Sequence, residues 1–124
     1  MPLFNKSTID FNKPTAMMLG RWQPFHDGHK ALFIEALKKT GQVMIMVRDM
    51  PKSGNNPFGF WEIFHHIHNV LKDYHGKFEV ISVANITNIC YGRDVGYSID
   101  EIVLPEQIQK ISATKIRKEM KNEI

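Results

Sequence analysis

Two short, almost wholly apolar runs, Thr15-Ala16-Met17-Met18-Leu19 and Val43-Met44-Ile45-Met46-Val47, bracket a segment whose apolar residues recur at helical spacing. A run of that length between Pro14 and Gly20 reads as a buried strand. In 29–40 the residues Leu32, Phe33, Ala36 and Leu37 follow the helical period, Lys38 and Lys39 sit near the end, and Gly41 is the stop signal. Strand, turn, helix, strand is one βαβ unit, with parallel strands and a right-handed crossover.

The rest of the chain continues the alternation. Residues 49–59 are rich in turn formers and predict an exposed loop. In 60–74, Phe60, Ile63, Phe64, Ile67, Val70 and Leu71 form one helical stripe, ended by His75-Gly76. Segments 78–83 and 86–91 read as two further strands, 102–104 as a short fifth, and 113–122 as a short polar helix opening behind Ser112. Strands and helices in this order predict an α/β layered sheet. Residues 1–14 are the least regular part and read as an N-terminal extension to a single domain over 15–124.

A chain of 124 residues, 43% hydrophobic and 23% charged, suits one globular domain. Its one cysteine, Cys90, excludes a disulfide within the chain and fits a reducing cytoplasm; its place in an apolar run predicts a buried thiol. No apolar run reaches the roughly 18–20 residues of a membrane span. The net charge of +3 favours small anions slightly. Glu119 and Glu123 dilute the basic C-terminal stripe, so neither nucleic acid nor a membrane is an expected partner.

Between the first strand and first helix lies Gly20-Arg21-Trp22-Gln23-Pro24-Phe25-His26-Asp27-Gly28-His29. In open parallel sheets, ligands bind beyond the carboxyl ends of the strands. Two histidines three apart at a helix start can point the same way, Gly28 leaves room for close approach, and free N–H groups there favour an anion. Arg21 adds a planar fork of donors. The plain alternative is an Asp27 N-cap beside two exposed histidines. A zinc site at His26 and His29 lacks a Cys or Glu at metal spacing. Near the other end, Ile111-Ser112-Ala113-Thr114-Lys115-Ile116-Arg117 puts hydroxyls, backbone N–H groups and a cation at a second helix start.

Together GRWQPFHDGH and ISATKIR resemble the nucleotidyltransferase superfamily, with its HxGH loop and late ISSTxxR-like segment. The resemblance spans about residues 15–121. It implies a Rossmann-like three-layer domain with a parallel sheet of about five strands. It also implies direct attack of a substrate phosphate on the α-phosphorus of a nucleoside triphosphate, with pyrophosphate leaving and Mg²⁺ present. On the motif match, His26, His29 and Arg117 carry the chemistry. Gly20, Arg21, Gly28, Ser112 and Thr114 bind nucleotide, and Gly92 and Asp94 fall where the base and ribose are contacted.

GRxQPFHxGH, with Asn56-Pro57-Phe58 and Glu62, is similar to archaeal-type nicotinamide mononucleotide adenylyltransferases and points to ATP. Ile63 stands where those enzymes have Arg. The ending ISATKIRKEM is similar to glycerol-3-phosphate cytidylyltransferase, which uses CTP, and a nucleotide-binding sensor without turnover is a third reading. The acceptor is expected to be an anionic small molecule, with Trp22, Arg48, Lys52 and Arg93 as candidate contacts. His65, His66 and His68 are read as surface or interface residues rather than ligands, and the aromatic helix 60–71 as the place to seek a homodimer contact.

Overall fold

The computed structural model describes residues 9–93 and 96–122. Strand β1 (Ala16–Gly20) leads into helix α1 (Asp27–Thr40), β2 (Val43–Arg48), α2 (Phe60–Val70), a 3-10 turn (Lys72–Tyr74) and β3 (Phe78–Val83). Two further helices follow, the one-turn α3 (Glu106–Gln109) and α4 (Ala113–Asn122). The sheet runs β1-β2-β3, parallel throughout, with Met18 beside Ile45 and Ile45 beside Val80.

Alternation along the strands decides which face is covered. Met18, Val43, Ile45, Val47, Phe78 and Val80 are buried, and they form one core with Phe33 and Ala36 of α1 and Ile63, Ile67 and Leu71 at α2. The opposite face carries Met17, Met44 and Met46, and Met17 there is 51% exposed. Ile9 and Phe11 flank that face across a small groove of about 250 Å³. Part of the N-terminal extension is therefore anchored. The buried Gln42 amide accepts from the Asp10 N–H at 3.0 Å and donates to the Asp10 carbonyl and the Thr15 hydroxyl, each at 2.7 Å.

Three strands, not five, are present among the described residues. Segment 86–91 leaves the sheet, with 87–91 exposed. Only Ala84 and Asn85 separate it from β3, whereas a parallel neighbour needs a crossover of a dozen residues or more. In 102–104, Ile102 packs on the core while Val103 stands 75% exposed, and no ladder forms. Cys90 goes with its segment and is an exposed thiol, not a core one. Leu71 ends α2 early; the chain tightens into the 3-10 turn and reverses at Gly76, whose φ is 85°.

Candidate functional site

The first loop, residues 21–26, leaves the carboxyl end of β1 with Trp22 in the left-handed region at φ 53° and a cis peptide before Pro24. A bulky residue there is strained by about 1–3 kcal/mol. Contacts hold it: the Trp22 ring is buried and its Nε1–H donates to the Met46 carbonyl at 2.9 Å. A Cβ on Gly20 would lie 2.8–2.9 Å from the indole carbons, so the room at Gly20 is taken by Trp22. Trp22 in turn presents its ring to His29, centroids 4.8 Å apart and near perpendicular, and Phe25 packs against both rings with centroids 5.4 Å from each.

His26, not Asp27, is the N-cap of α1. Its Nδ1 accepts the Gly28 and His29 N–H groups at 3.0 and 3.4 Å, and His29 Nδ1 accepts the His26 N–H at 3.1 Å. Two histidines thus make a reciprocal cap of the kind usually built from Ser and Glu. The amides at Gly28 and His29 are spent on the imidazole and are not free for an anion. Gly28 is needed for a related reason: a Cβ would sit 2.9 Å from His26 Cε1. The space it leaves is filled by the chain's own ring.

Because each Nδ1 accepts, each ring carries its proton on Nε2. Burial is the main cause holding both imidazoles below their ordinary pKa. The Asp27 charge opposes this at His26, while at His29 the neighbouring His26 adds to it and the value falls to about 3. Both imidazoles are therefore neutral at pH 7, not cations, although a hydrogen bond to the Pro24 backbone pulls His29 the other way. The rings stack with centroids 3.7 Å apart and 14° from parallel.

The C-terminal segment reaches this loop. The Ile108 carbonyl would lie 3.5 Å from a Cβ on Gly28. Ser112 Oγ accepts the Lys115 N–H at 3.3 Å as α4 begins. Arg117, one turn on, donates through Nη1 to the Gln23 carbonyl and through Nη2 to Thr114 Oγ1. Residues 94 apart in sequence are in direct contact. Between the first loop, α2 and α4 opens a largely apolar cavity of about 460 Å³, with Trp22, His26, Phe58, Ile63, Ile116 and Met120 among its walls.

The remaining candidates lie elsewhere. Arg21 is exposed and reaches Asn56 Oδ1 at 3.4 Å. Arg48, at the end of β2, donates to Asn85 Oδ1 at 2.8 Å, and its buried Nε has no partner among the described residues. Lys52 stands 3.6 Å from Glu62, an exposed carboxylate held below its usual range chiefly by the Gly59 N–H. Gly92 and Arg93 are exposed, and Asp94 lies outside the described residues. His66 Nε2 donates to the Phe25 carbonyl and His68 Nδ1 to the Phe64 carbonyl, each at 2.8 Å, which commits both rings to backbone.

Two residues lie within the quoted motifs but were given no role by them. Gln23 is 4% exposed and bonds the Phe58 backbone with both ends of its amide. Asn56 is 7% exposed and holds the turn at Ser53. A lone amide in a loop reads as solvated polarity, and only its burial reveals the role. Among the described residues no three of His, Cys, Asp and Glu gather to hold a metal ion.

No family model matches the chain. A nicotinamide-nucleotide adenylyltransferase of Methanococcus aeolicus is 34% identical over 73 residues, 57% of this chain and 42% of that one. A protein of the same name from Methanococcus maripaludis is 30% identical over 73 residues. The likeness is to nucleotidyltransferases. A solved structure agrees: the bifunctional NMN adenylyltransferase/ADP ribose pyrophosphatase of Francisella tularensis, in complex with AMP and a Mn ion, superposes with a TM-score of 0.54 at 26% identity. It covers 58% of this chain and 23% of the other. The chain spans less than half the length of the curated relatives it matches.

Proposed function

We propose that the protein is a nucleotidyltransferase that moves AMP from ATP to a phosphate-bearing small molecule and releases pyrophosphate. The observation that carries this reading is the contact of Arg117 with the first loop, which joins a cationic helix start to the stacked His26–His29 pair. An acceptor phosphate oxygen forms a bond to the α-phosphorus. The bond from that phosphorus to the bridging oxygen breaks, and its electron pair leaves with pyrophosphate. The protein supplies no nucleophile; it positions the reactants and stabilises charge on the phosphoryl oxygens.

In this scheme the Nε2–H groups of His26 and His29 donate to phosphoryl oxygens. Ser112, Thr114 and Arg117 take the β- and γ-phosphates, and Gly20, Arg21, Gly28, Gly92 and Asp94 shape the nucleotide site. Gly20 and Gly28 act indirectly, by admitting the Trp22 and His26 rings. Trp22, Arg48, Lys52 and Arg93 serve the anionic acceptor. Mg²⁺ bound to the triphosphate would neutralise part of its charge. The chain works as one domain over 15–124, in the cytoplasm, as a homodimer through the aromatic face of α2, where Trp61 is 65% exposed.

A second reading has one observation in its favour. Ile63, where the resemblance expects Arg, is 4% exposed in the cavity wall, which suits a nucleotide-binding module without turnover. Incubation with ATP or CTP, Mg²⁺ and a panel of phosphate esters, followed by pyrophosphate, separates the two. ATP-dependent release with one acceptor, abolished by His29→Ala, supports the enzyme. Tight ATP binding without release for any acceptor supports the module, and release with CTP alone overturns the adenylyl assignment.

A further inference from the structure

We propose that Gln23 is a positioning residue whose side chain couples the seating of Arg117 to the second loop, so that one buried amide sets both the phosphate jaw and the adjoining cavity wall. The proposal rests on the nucleotidyl-transfer reading above. Gln23 Nε2 donates to the Phe58 carbonyl at 3.1 Å while its Oε1 accepts the Phe58 N–H at 3.0 Å. A side chain with donor and acceptor at one end can pair with a backbone in this way, and Asn is a methylene too short to reach equally. The Phe58 main chain, 35 residues away, is thereby fixed on both sides.

The main chain of the same residue does a second job. Its carbonyl accepts Arg117 Nη1, and Thr114 Oγ1 takes Nη2, which commits two of the five guanidinium N–H groups. Three remain for an anion, pointing where the Gln23 carbonyl aims them. Pro24, Phe58 and Ile116, from three separate segments, line one cavity, and three of the bonds joining those segments run through Gln23. The other strut between the loops, from exposed Arg21 to Asn56, is longer at 3.4 Å and touches neither Phe58 nor Arg117.

A Gln that only filled space would affect stability and nothing else. Gln23→Met keeps the volume and removes both amide bonds. Calorimetry with Mg·ATP and amide hydrogen exchange over 113–120, on the full chain, read the coupling. Gln23→Met is expected to weaken ATP binding about tenfold and to speed exchange in α4 while leaving the middle of α1 unchanged. In the Arg117→Ala background the same change should weaken binding no further than about twofold. Wild-type ATP affinity in Gln23→Met, or losses that multiply in the double variant, would overturn the coupling. Faster α4 exchange in Gln23→Met, in a protein that binds neither ATP nor CTP, would uphold the coupling and overturn the nucleotide reading instead. If Gln23→Met does not fold, Gln23→Glu, which keeps the bond from the Phe58 N–H and loses the other, is read by the same two measurements.

Discussion

His26 and His29 cap each other: each imidazole Nδ1 accepts the backbone N–H of the other residue while the two rings stack 3.7 Å apart. One pair of side chains therefore both starts α1 and supplies the donors assigned to the phosphates. The two roles are separable. His26→Ala removes the cap and the donor, and should cost about 1 kcal/mol of stability and about 10²–10³ in rate. Asn is among the best N-cap residues, so His26→Asn should keep stability near that of the wild type and still lose the rate. Urea unfolding alongside pyrophosphate release checks both; a His26→Asn variant with full activity would show that the imidazole is only a cap.

Gly28→Ala acts on the same ring from behind. Ala gains helix propensity over Gly, but its Cβ would stand 2.9 Å from His26 Cε1 and 3.1 Å from Nδ1. The ring must shift, and a displacement on the order of 1 Å at a reacting group costs about 10²-fold. Turnover should fall by that order with little loss of thermal stability. Unchanged turnover would mean the His26 ring position does not matter to the chemistry.

The low pKa of His29 fixes the sign of a pH effect. The unfolded chain protonates His29 near its ordinary 6.5, the folded chain only at about 3. Between those values the unfolded state binds more protons, so stability is full above about pH 6.5 and falls as pH drops towards 3. Thermal melts should decline through that window, and His29→Gln should flatten the decline. Over the range where the fold is intact, the rate should show no loss as pH rises through 6.5, since neutral imidazoles are the working form. A rate that falls with an apparent pKa near 6.5 would assign the work to an imidazolium.

At Gly20 the consequence is structural. The Trp22 indole is fixed by its bond to the Met46 carbonyl and lies 2.8 Å from where a Cβ would be. Gly20→Ala should destabilise by about 1–3 kcal/mol, as overpacking does. Denaturant unfolding gives the value, and no change would mean the indole can move aside freely.

The βαβ start was legible because each strand is a continuous run and the helix changes period between them. The two later strands were not. Ile86, Ile89 and Tyr91 carry strand-like character, yet pattern says nothing of whether a two-residue link can carry the chain to a free edge. Cys90 was misplaced with them. At the site, Gly28 signalled close approach and Gly20 the end of a strand, but the sequence does not say that a Trp and a His of the same loop fill the space beside them. Asp27 is the usual cap residue, and only the geometry of the paired rings gives that role to His26. The anchoring of Phe58 by Gln23 left no trace in spacing, because its partner is a backbone 35 residues away.

The most direct test follows the label from ATP. With an accepted phosphate ester and Mg²⁺, the account predicts that radiolabel at the α-phosphorus appears in the acceptor product, while label at the γ-phosphorus appears in pyrophosphate. Label from the γ position on the acceptor, or α-label retained covalently on the protein, would contradict it.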